Sequence, residues 1–166
     1  MMIDYTFFQD GLLMVDGALA LATPSPINRA ISGRLEWFIE RYEPEYLCKL
    51  LGEELYNDFL ANQEGEMSDK WAEFKKLLVK DNALTKTSPI ANYVFFYFVR
   101  SNQSTATING VKKDGDANIV SPQQKLIMAW NDMIDANRKL YAWLCKNFSN
   151  VQTEQELLEP INDFNI

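Results

Sequence analysis

The sequence contains no histidine. Histidine is the side chain most used for proton transfer near neutral pH, and it is also the commonest metal ligand. Its absence excludes Ser-His and Cys-His nucleophile pairs within the chain and the usual zinc sites. We therefore expect a protein that is not an enzyme, with no catalytic residue, no bound metal and no cofactor.

Cysteines and long apolar runs are also scarce. The only cysteines are Cys48 and Cys145, which lie in helical patterns without metal-ligand spacing. We expect reduced thiols in the core or at its boundary, in a cytoplasmic protein. The apolar run 11–22 follows no basic residue and is interrupted by Asp16. This pattern argues against a signal peptide, and the run is too short to cross a membrane. We therefore expect no membrane contact.

Positive charge is missing from both ends of the chain. All 16 Lys and Arg lie between Arg29 and Lys146, together with 16 of the 23 acids, so the whole net charge of −7 belongs to the ends. A DNA-binding surface is typically basic, so we expect no sequence-specific contact with nucleic acid. The acidic ends either serve solubility alone or take part in contacts.

Apolar residues at three- and four-residue steps indicate a mainly helical chain. At 166 residues we expect one domain. Its fold class is predicted to be mainly α, a helical bundle of about five helices with a β-hairpin inserted before the last long helix. The expected helices start at Ile27, at Pro44 (a short one ending near Gly52), at Ser68, at Pro89 (buried on all sides) and at Pro122, the last running to Asn147. After a bend at Gly52, the apolar stripe of the second helix resumes at Leu55.

The polar segment between the last two helices has the pattern of a projecting hairpin. β-favouring residues flank Asn109-Gly110, a strong two-residue turn signal. In one interpretation the hairpin folds back over its own bundle. In the other its strands dock on a neighbouring subunit, with more mobility than the bundle in the isolated chain. The candidate contact residues are Thr105, Thr107, Ile108, Asn109, Gly110, Val111, Lys112 and Lys113.

The bundle is expected to span 27–148, with the hairpin at 103–119. Residues 1–26 form an N-terminal arm, read either as short strands or as an extended segment lying on another surface. Residues 149–166 form an acidic C-terminal tail. Within the tail, Thr153-Glu-Gln-Glu156 predicts a capping box before a short helical turn.

Two pairs of acids have the spacing with which all-α nucleotide hydrolases hold magnesium on facing helices. They are Glu40 with Glu43, and Asp132 with Asp135. We favour ordinary surface acids. Two other patterns leave an alternative open. The aromatic run Tyr93–Val99 is read as bundle core rather than a ligand pocket. The helix expected to start at Ser68 carries a row of lysines, Lys70, Lys75, Lys76 and Lys80. We favour a solvated face for them over a site for phosphate or an acidic partner.

Three segments together resemble one protein family. Residues 45–56 resemble a "Leu-x-x-Leu-Leu-Gly-x-x-Leu-Tyr" signature, and residues 88–98 are similar to the helix that follows it in that family. Residues 105–112 resemble its polar "Thr-x-x-Gly-Val" loop before the last long helix. The family is that of the small α-helical head–tail connector proteins of tailed bacteriophages and prophages. The resemblance covers roughly residues 27–148, and the two ends of the chain match nothing in it.

The resemblance implies a structural adaptor that assembles as a homo-oligomeric ring between the portal and the tail. Its partners would be other copies of itself, the portal and tail-completion proteins. Its location would be the bacterial cytoplasm during assembly, and the virion if the phage is intact. The alternatives are an all-α magnesium-dependent nucleotide hydrolase using the acid pairs, or a small cytoplasmic regulatory or ligand-binding bundle.

Overall fold

The computed structural model describes residues 1–18, 23–64, 67–82, 85–102, 104–107, 110–113 and 122–162. The helices and strands found there are α1 (Pro26–Leu51), α2 (Glu53–Glu64), α3 (Asp69–Leu78), β1 (Lys80–Asp81), β2 (Lys86–Thr87), α4 (Pro89–Asn102), β3 (Ser104–Thr107), β4 (Gly110–Lys113) and α5 (Gln123–Asn147). The predicted fold class, a mainly α bundle of about five helices with a hairpin before the last long helix, is confirmed.

Helix α1 is longer than the sequence predicts. Ser25 caps its first turn by accepting the backbone N–H of Asn28 (3.2 Å), and Gly52 ends it at a φ of 75°. The expected new helix at Pro44 is wrong, because α1 continues through this residue. Pro44 is exposed, and the apolar residues on both sides of it enter the same core, which offsets the missing backbone donor. These residues are Leu35, Phe38, Ile39, Tyr46, Leu47 and Leu50.

Helix α4 is the central helix, and α5 packs against it in the opposite direction. The Lys125 ammonium lies 5.4 Å from the centre of the Phe95 ring. Four residues further along α5, the carbonyl of Ala129 accepts the Asn92 side-chain amide at 2.8 Å. Later residues of α5 therefore meet earlier residues of α4, which makes the pair antiparallel.

Helix α1 covers another side of α4. The rings of Phe38 and Phe98 are 5.3 Å apart, and those of Tyr46 and Tyr93 are 5.4 Å apart. This order makes α1 antiparallel to α4 and hence parallel to α5. The interpretation of the aromatic run as bundle core is confirmed, since its buried members are Tyr93, Val94, Phe95, Phe96 and Phe98.

Helices α2 and α3 close one end of the bundle. Phe59 of α2 packs on Trp71 of α3 with ring centres 5.1 Å apart, and Phe74 meets Trp143 of α5 at 6.0 Å. Leu77 of α3 is exposed and does not point inward with its neighbour Leu78. A helix of this length buries a single stripe, and here the stripe holds Trp71, Phe74 and Leu78.

The N-terminal arm is neither a strand nor an extended segment on another surface, so that expectation is wrong for residues 1–18. It forms two 3₁₀ turns, Tyr5–Phe8 and Gly11–Leu13. Asp4 caps the first turn by accepting the N–H of Thr6 (2.9 Å). The arm contributes five buried side chains to the chain's own core, namely Ile3, Phe7, Phe8, Leu13 and Ala18.

Over residues 149–162 the tail contains one 3₁₀ turn, Gln155–Leu157, and the predicted capping box is wrong. The Thr153 hydroxyl donates instead to the carbonyl of Leu50 (2.6 Å), at the end of α1. The Glu156 carboxylate pairs with Lys49 of the same helix. Both side chains that would have capped the turn are therefore engaged by α1.

Candidate contact surfaces

The hairpin is the candidate site that the sequence singles out. Strand β3 carries Thr105 and Thr107, and β4 carries Gly110, Val111, Lys112 and Lys113. Ile108 and Asn109 lie outside the described residues. The strands are antiparallel and in register from the pair Ser104–Lys113 to the pair Thr107–Gly110. The structure therefore places the described members of the predicted set on one backbone ribbon.

The position of this ribbon follows from the helices around it. Strand β3 starts two residues after α4 ends at Asn102. Arg34, in the early part of α1, lies 5.8 Å from the Phe98 ring near that same end of α4. The ribbon thus emerges where α1 and α5 begin. No third strand within the described ranges pairs with β3 or β4, so each strand has one edge without a strand partner there.

A buried carboxylate ties the N-terminal arm to α1. Glu43 accepts the backbone N–H groups of Met2 (2.8 and 2.9 Å) and Ile3 (3.2 Å), and the N-terminal ammonium lies 4.0 Å away. Burial raises the pKa of Glu43, while the two N–H groups and the ammonium offset part of that rise. One member of the first acid pair is therefore a structural anchor for the arm.

The acid pairs do not converge on a common point. Glu40 is exposed, whereas Glu43 is buried under the arm. On α5, Asp132 is exposed, and Asp135 lies 3.9 Å from Arg138 at the surface. No group of three or more potential metal-ligating side chains occurs within the described ranges. The geometry therefore gives no support to a magnesium centre.

Side chains of α5 hold the backbone of the tail. The Asn137 amide donates to the carbonyl of Leu157 (2.9 Å), and the Arg138 guanidinium donates to that of Leu158 (3.1 Å). Asn131 forms a reciprocal pair with Ile161, donating to its carbonyl (3.1 Å) and accepting its N–H (2.9 Å). Residues 157–161 are thereby fixed along α5, a contact for which the sequence has no local signal.

A groove opens on the side of the molecule where the arm meets α3, α4 and α5. Its volume is about 370 Å³. Apolar side chains supply much of its wall. The acidic residues that line it belong to the arm and α5, and the basic residues that line it belong to β1 and β2. Its wall includes Leu13, Leu77, Pro89, Asp10, Asp132 and Lys80.

The lysines of α3 and its flank do not form a common site. Lys70 donates to the carbonyl of Asn147 (3.0 Å) and lies 5.4 Å from the Phe148 ring. Lys76 is exposed on α3, and Lys80 belongs to β1. Of the thiols, Cys48 is half-buried as expected, whereas Cys145 is exposed on α5 instead of lying in or beside the core.

Sequence reasoning overlooked one exposed aromatic residue. Trp37 of α1 is 58% exposed, although its neighbour Phe38 is buried. The signal that would have found it is its position, because Trp37 lies off the apolar stripe of Leu35, Phe38 and Ile39.

Comparison with known proteins adds no relative. No family model, curated protein or solved structure matches this chain. Within the described ranges, none of the helices combines the length and the apolar character that crossing a bilayer requires. The fold and the surfaces above define a mainly α-helical bundle with a hairpin attached at one end, and its function has to be argued from those features.

Proposed function

We propose that this chain is a structural head–tail connector adaptor of a tailed phage or prophage, which assembles with copies of itself as a ring between the portal and the tail. In this proposal the protein acts by assembly and without turnover. The portal and tail-completion proteins are its other partners, and its place is the bacterial cytoplasm during assembly and then the virion.

The observation that carries the proposal is the β3–β4 hairpin. It is a two-stranded ribbon attached to the end of a buried helix, and isolated two-stranded ribbons are only marginally stable in water. A ribbon with unpaired edges can add its backbone to a strand of another chain, which supplies the missing hydrogen bonds. This favours the hairpin as the contact arm of an assembling subunit.

The places of the three family-like segments support the same proposal. Residues 45–56 include the end of α1, its Gly52 cap and the start of α2. Residues 88–98 lie at the start of the buried helix α4. Of the third segment, the described residues 105–107 and 110–112 lie in the strands that precede α5. These are the positions that the resemblance implies for a connector.

Removal of the hairpin tests the proposal. In the variant, residues Thr105–Lys113 are deleted and the ends joined by a short Gly-Ser linker. We expect a nearly unchanged melting temperature, because the bundle core lies elsewhere, together with loss of ring formation or of incorporation into particles. Light scattering reports the assembly, and the protein content of purified particles reports the incorporation.

A second variant replaces Thr105–Lys113 with a Gly-Ser segment of the same length, which separates the loss of strand sequence from the shortening of the chain. We expect it to fail in assembly like the deletion. If the deletion unfolds the chain, the hairpin is a flap over its own bundle and the contact-arm proposal is wrong. Magnesium-dependent nucleotide hydrolysis that is lost on Asp132→Asn and Asp135→Asn substitution would also overturn it.

A further inference from the structure

The outward face of α1 carries an apolar and basic stripe that the chain itself leaves exposed. One row of the helix at three- and four-residue steps consists of Ile27, Ala30, Arg34, Trp37, Arg41 and Pro44, and all six are exposed. Trp37 lies at the middle of this row. The row has two charged residues, Arg34 and Arg41, and both are basic. Trp and Arg are the residue types that most often dominate binding energy at protein interfaces.

The groove has the complementary chemistry. Its volume of about 370 Å³ falls in the range of pockets that enclose a bulky apolar group. Leu13, Leu77 and Pro89 offer it apolar contact, and Asp10 and Asp132 add two carboxylates. Leu77 and Asp132 are exposed, so an entering side chain meets them first.

The lysines that line the groove are compatible with the binding of the basic stripe. Lys86 is already paired with Asp81 (3.0 Å) and donates to the Thr6 hydroxyl (2.9 Å). Lys80 is exposed on β1, the strand that pairs with β2, where Lys86 lies. Glu40 is exposed one turn after Trp37 on α1, and its carboxylate is the complementary partner for the Lys80 ammonium.

We propose that Trp37 of one copy of this chain inserts into the groove of a second copy, with Arg34 and Arg41 facing Asp10 and Asp132. Helix α1 contributes none of the residues that line the groove, so the two surfaces are separate patches of one chain. Such a contact is heterologous: each copy uses its stripe on one neighbour and its groove on the other. Repetition of the contact builds a ring if the rotation closes and a filament if it does not.

This interface rests on the proposed self-assembly of the adaptor, and it is tested by mixing two disabled chains. The stripe variant carries Trp37→Ala and Arg41→Asp, and the groove variant carries Leu77→Arg and Asp132→Arg. All four residues are exposed, so we expect unchanged circular dichroism and melting temperature. Tyr141→Ala, an exposed aromatic on the face of α5 opposite Asp132, is the matched control.

In sedimentation velocity at concentrations up to about 1 mM, a range that resolves weak contacts, we expect the wild type and the control to associate. Each disabled variant should associate at least about 30-fold more weakly than the wild type. This is the loss typical of truncating a dominant interface residue. Their equimolar mixture should give a 1:1 dimer that does not grow, because only one stripe and one groove remain intact. A monomeric wild type, a variant that associates like the wild type, or a mixture that stays monomeric would overturn the interface.

The outcomes for the interface and for the adaptor function are distinguishable. If the mixture dimerises but the wild-type chain does not enter phage particles, the interface stands and the proposed function falls. If both disabled variants enter particles as efficiently as the wild type, the interface falls and the proposed function stands.

Discussion

The two ends of the chain dock on the same bundle by different means. The arm at residues 1–18 buries aromatic and aliphatic side chains, among them Phe7 and Phe8, and its backbone is held by the buried Glu43. The tail buries mainly Leu157. Its backbone is held by uncharged side chains of α5, such as the amides of Asn131 and Asn137. The arm is thus part of the hydrophobic core, whereas the tail is a backbone segment clamped to its surface.

This difference indicates which segments remain available to a partner. Both ends were candidates for reaching another surface, and over their described residues both contact their own body. The hairpin differs from them, because its described strands pair only with one another. The comparison predicts a graded response to substitution, from the arm to the tail.

The largest effect is expected for Phe8→Ala in the arm. Phe8 is fully buried, and truncation of a buried phenylalanine costs about 3–5 kcal/mol through lost burial and the cavity left behind. Urea unfolding measures the free energy of unfolding. Trp37→Ala is the control, since its exposed ring should leave stability almost unchanged. Equal effects of the two substitutions would contradict the burial of the arm.

A smaller effect is expected for Asn137→Ala, which releases the tail. Asn137 is fully buried, donates to the Leu157 carbonyl and accepts the Tyr46 hydroxyl. Its removal leaves a buried donor and acceptor unpaired, at a cost of about 1–3 kcal/mol. Hydrogen exchange should show faster exchange at the Glu154 and Ile161 amides and no change at Ile3. Faster exchange in the arm as well would mean that the two ends are not independent.

The pH dependence should distinguish the arm from the tail. Because burial raises the pKa of Glu43 above 4.5, the folded chain retains a proton that the unfolded chain has lost. The contribution of Glu43 to the free energy of unfolding therefore falls as the pH rises from 4.5 through the raised pKa, and it is constant beyond that.

The measurement is the free energy of unfolding of the wild type and of Glu43→Gln between about pH 4 and pH 8, the range in which a perturbed carboxyl titrates. The difference between the two curves should change over this range, since the variant has no proton to exchange at that position. A constant difference would show that the pKa of Glu43 is not raised in the folded chain.

The smallest effect is expected at the ion pair between the tail and α1. Partial burial lowers the pKa of Lys49, but hydrogen bonding and attraction from Glu156 outweigh it and the net pKa is raised above 10.5. The stabilisation is therefore complete below pH 10.5 and is lost as the pH rises through the raised pKa. Since both side chains are partly exposed, Glu156→Gln should cost less than about 1 kcal/mol at neutral pH. Thermal melting of both chains at neutral and strongly alkaline pH checks this: the difference should vanish at the alkaline end.

The features that sequence reasoning predicted are local. Helical periodicity predicts the helices, and Gly52 predicts the residue at which α1 ends. The turn signal just before Val111 predicts the hairpin. Each of these signals acts within a few residues along the chain. The bundle and its inserted hairpin could therefore be predicted without knowledge of which helices touch.

The errors concern residues whose partners are distant in sequence. Pro44 ends a helix by local rules, yet packing on both sides of it keeps α1 continuous. Thr153 has the pattern of a cap, but its hydroxyl donates to Leu50, 103 residues away. Glu43 was weighed as a metal ligand, and its partner is the chain's own second and third residues. The groove was missed for the same reason, because its wall comes from segments far apart in sequence.

The most direct test of the account is hydrogen exchange on the free chain and on its assembled form. The account predicts that the amides of Ile3, Glu154 and Ile161 are protected in both states, since their acceptors lie within the chain. It predicts that the amides of β3 and β4 exchange faster than those of α4 in the free chain and gain protection on assembly. Unchanged exchange in the hairpin on assembly, with new protection at the two ends instead, would contradict it.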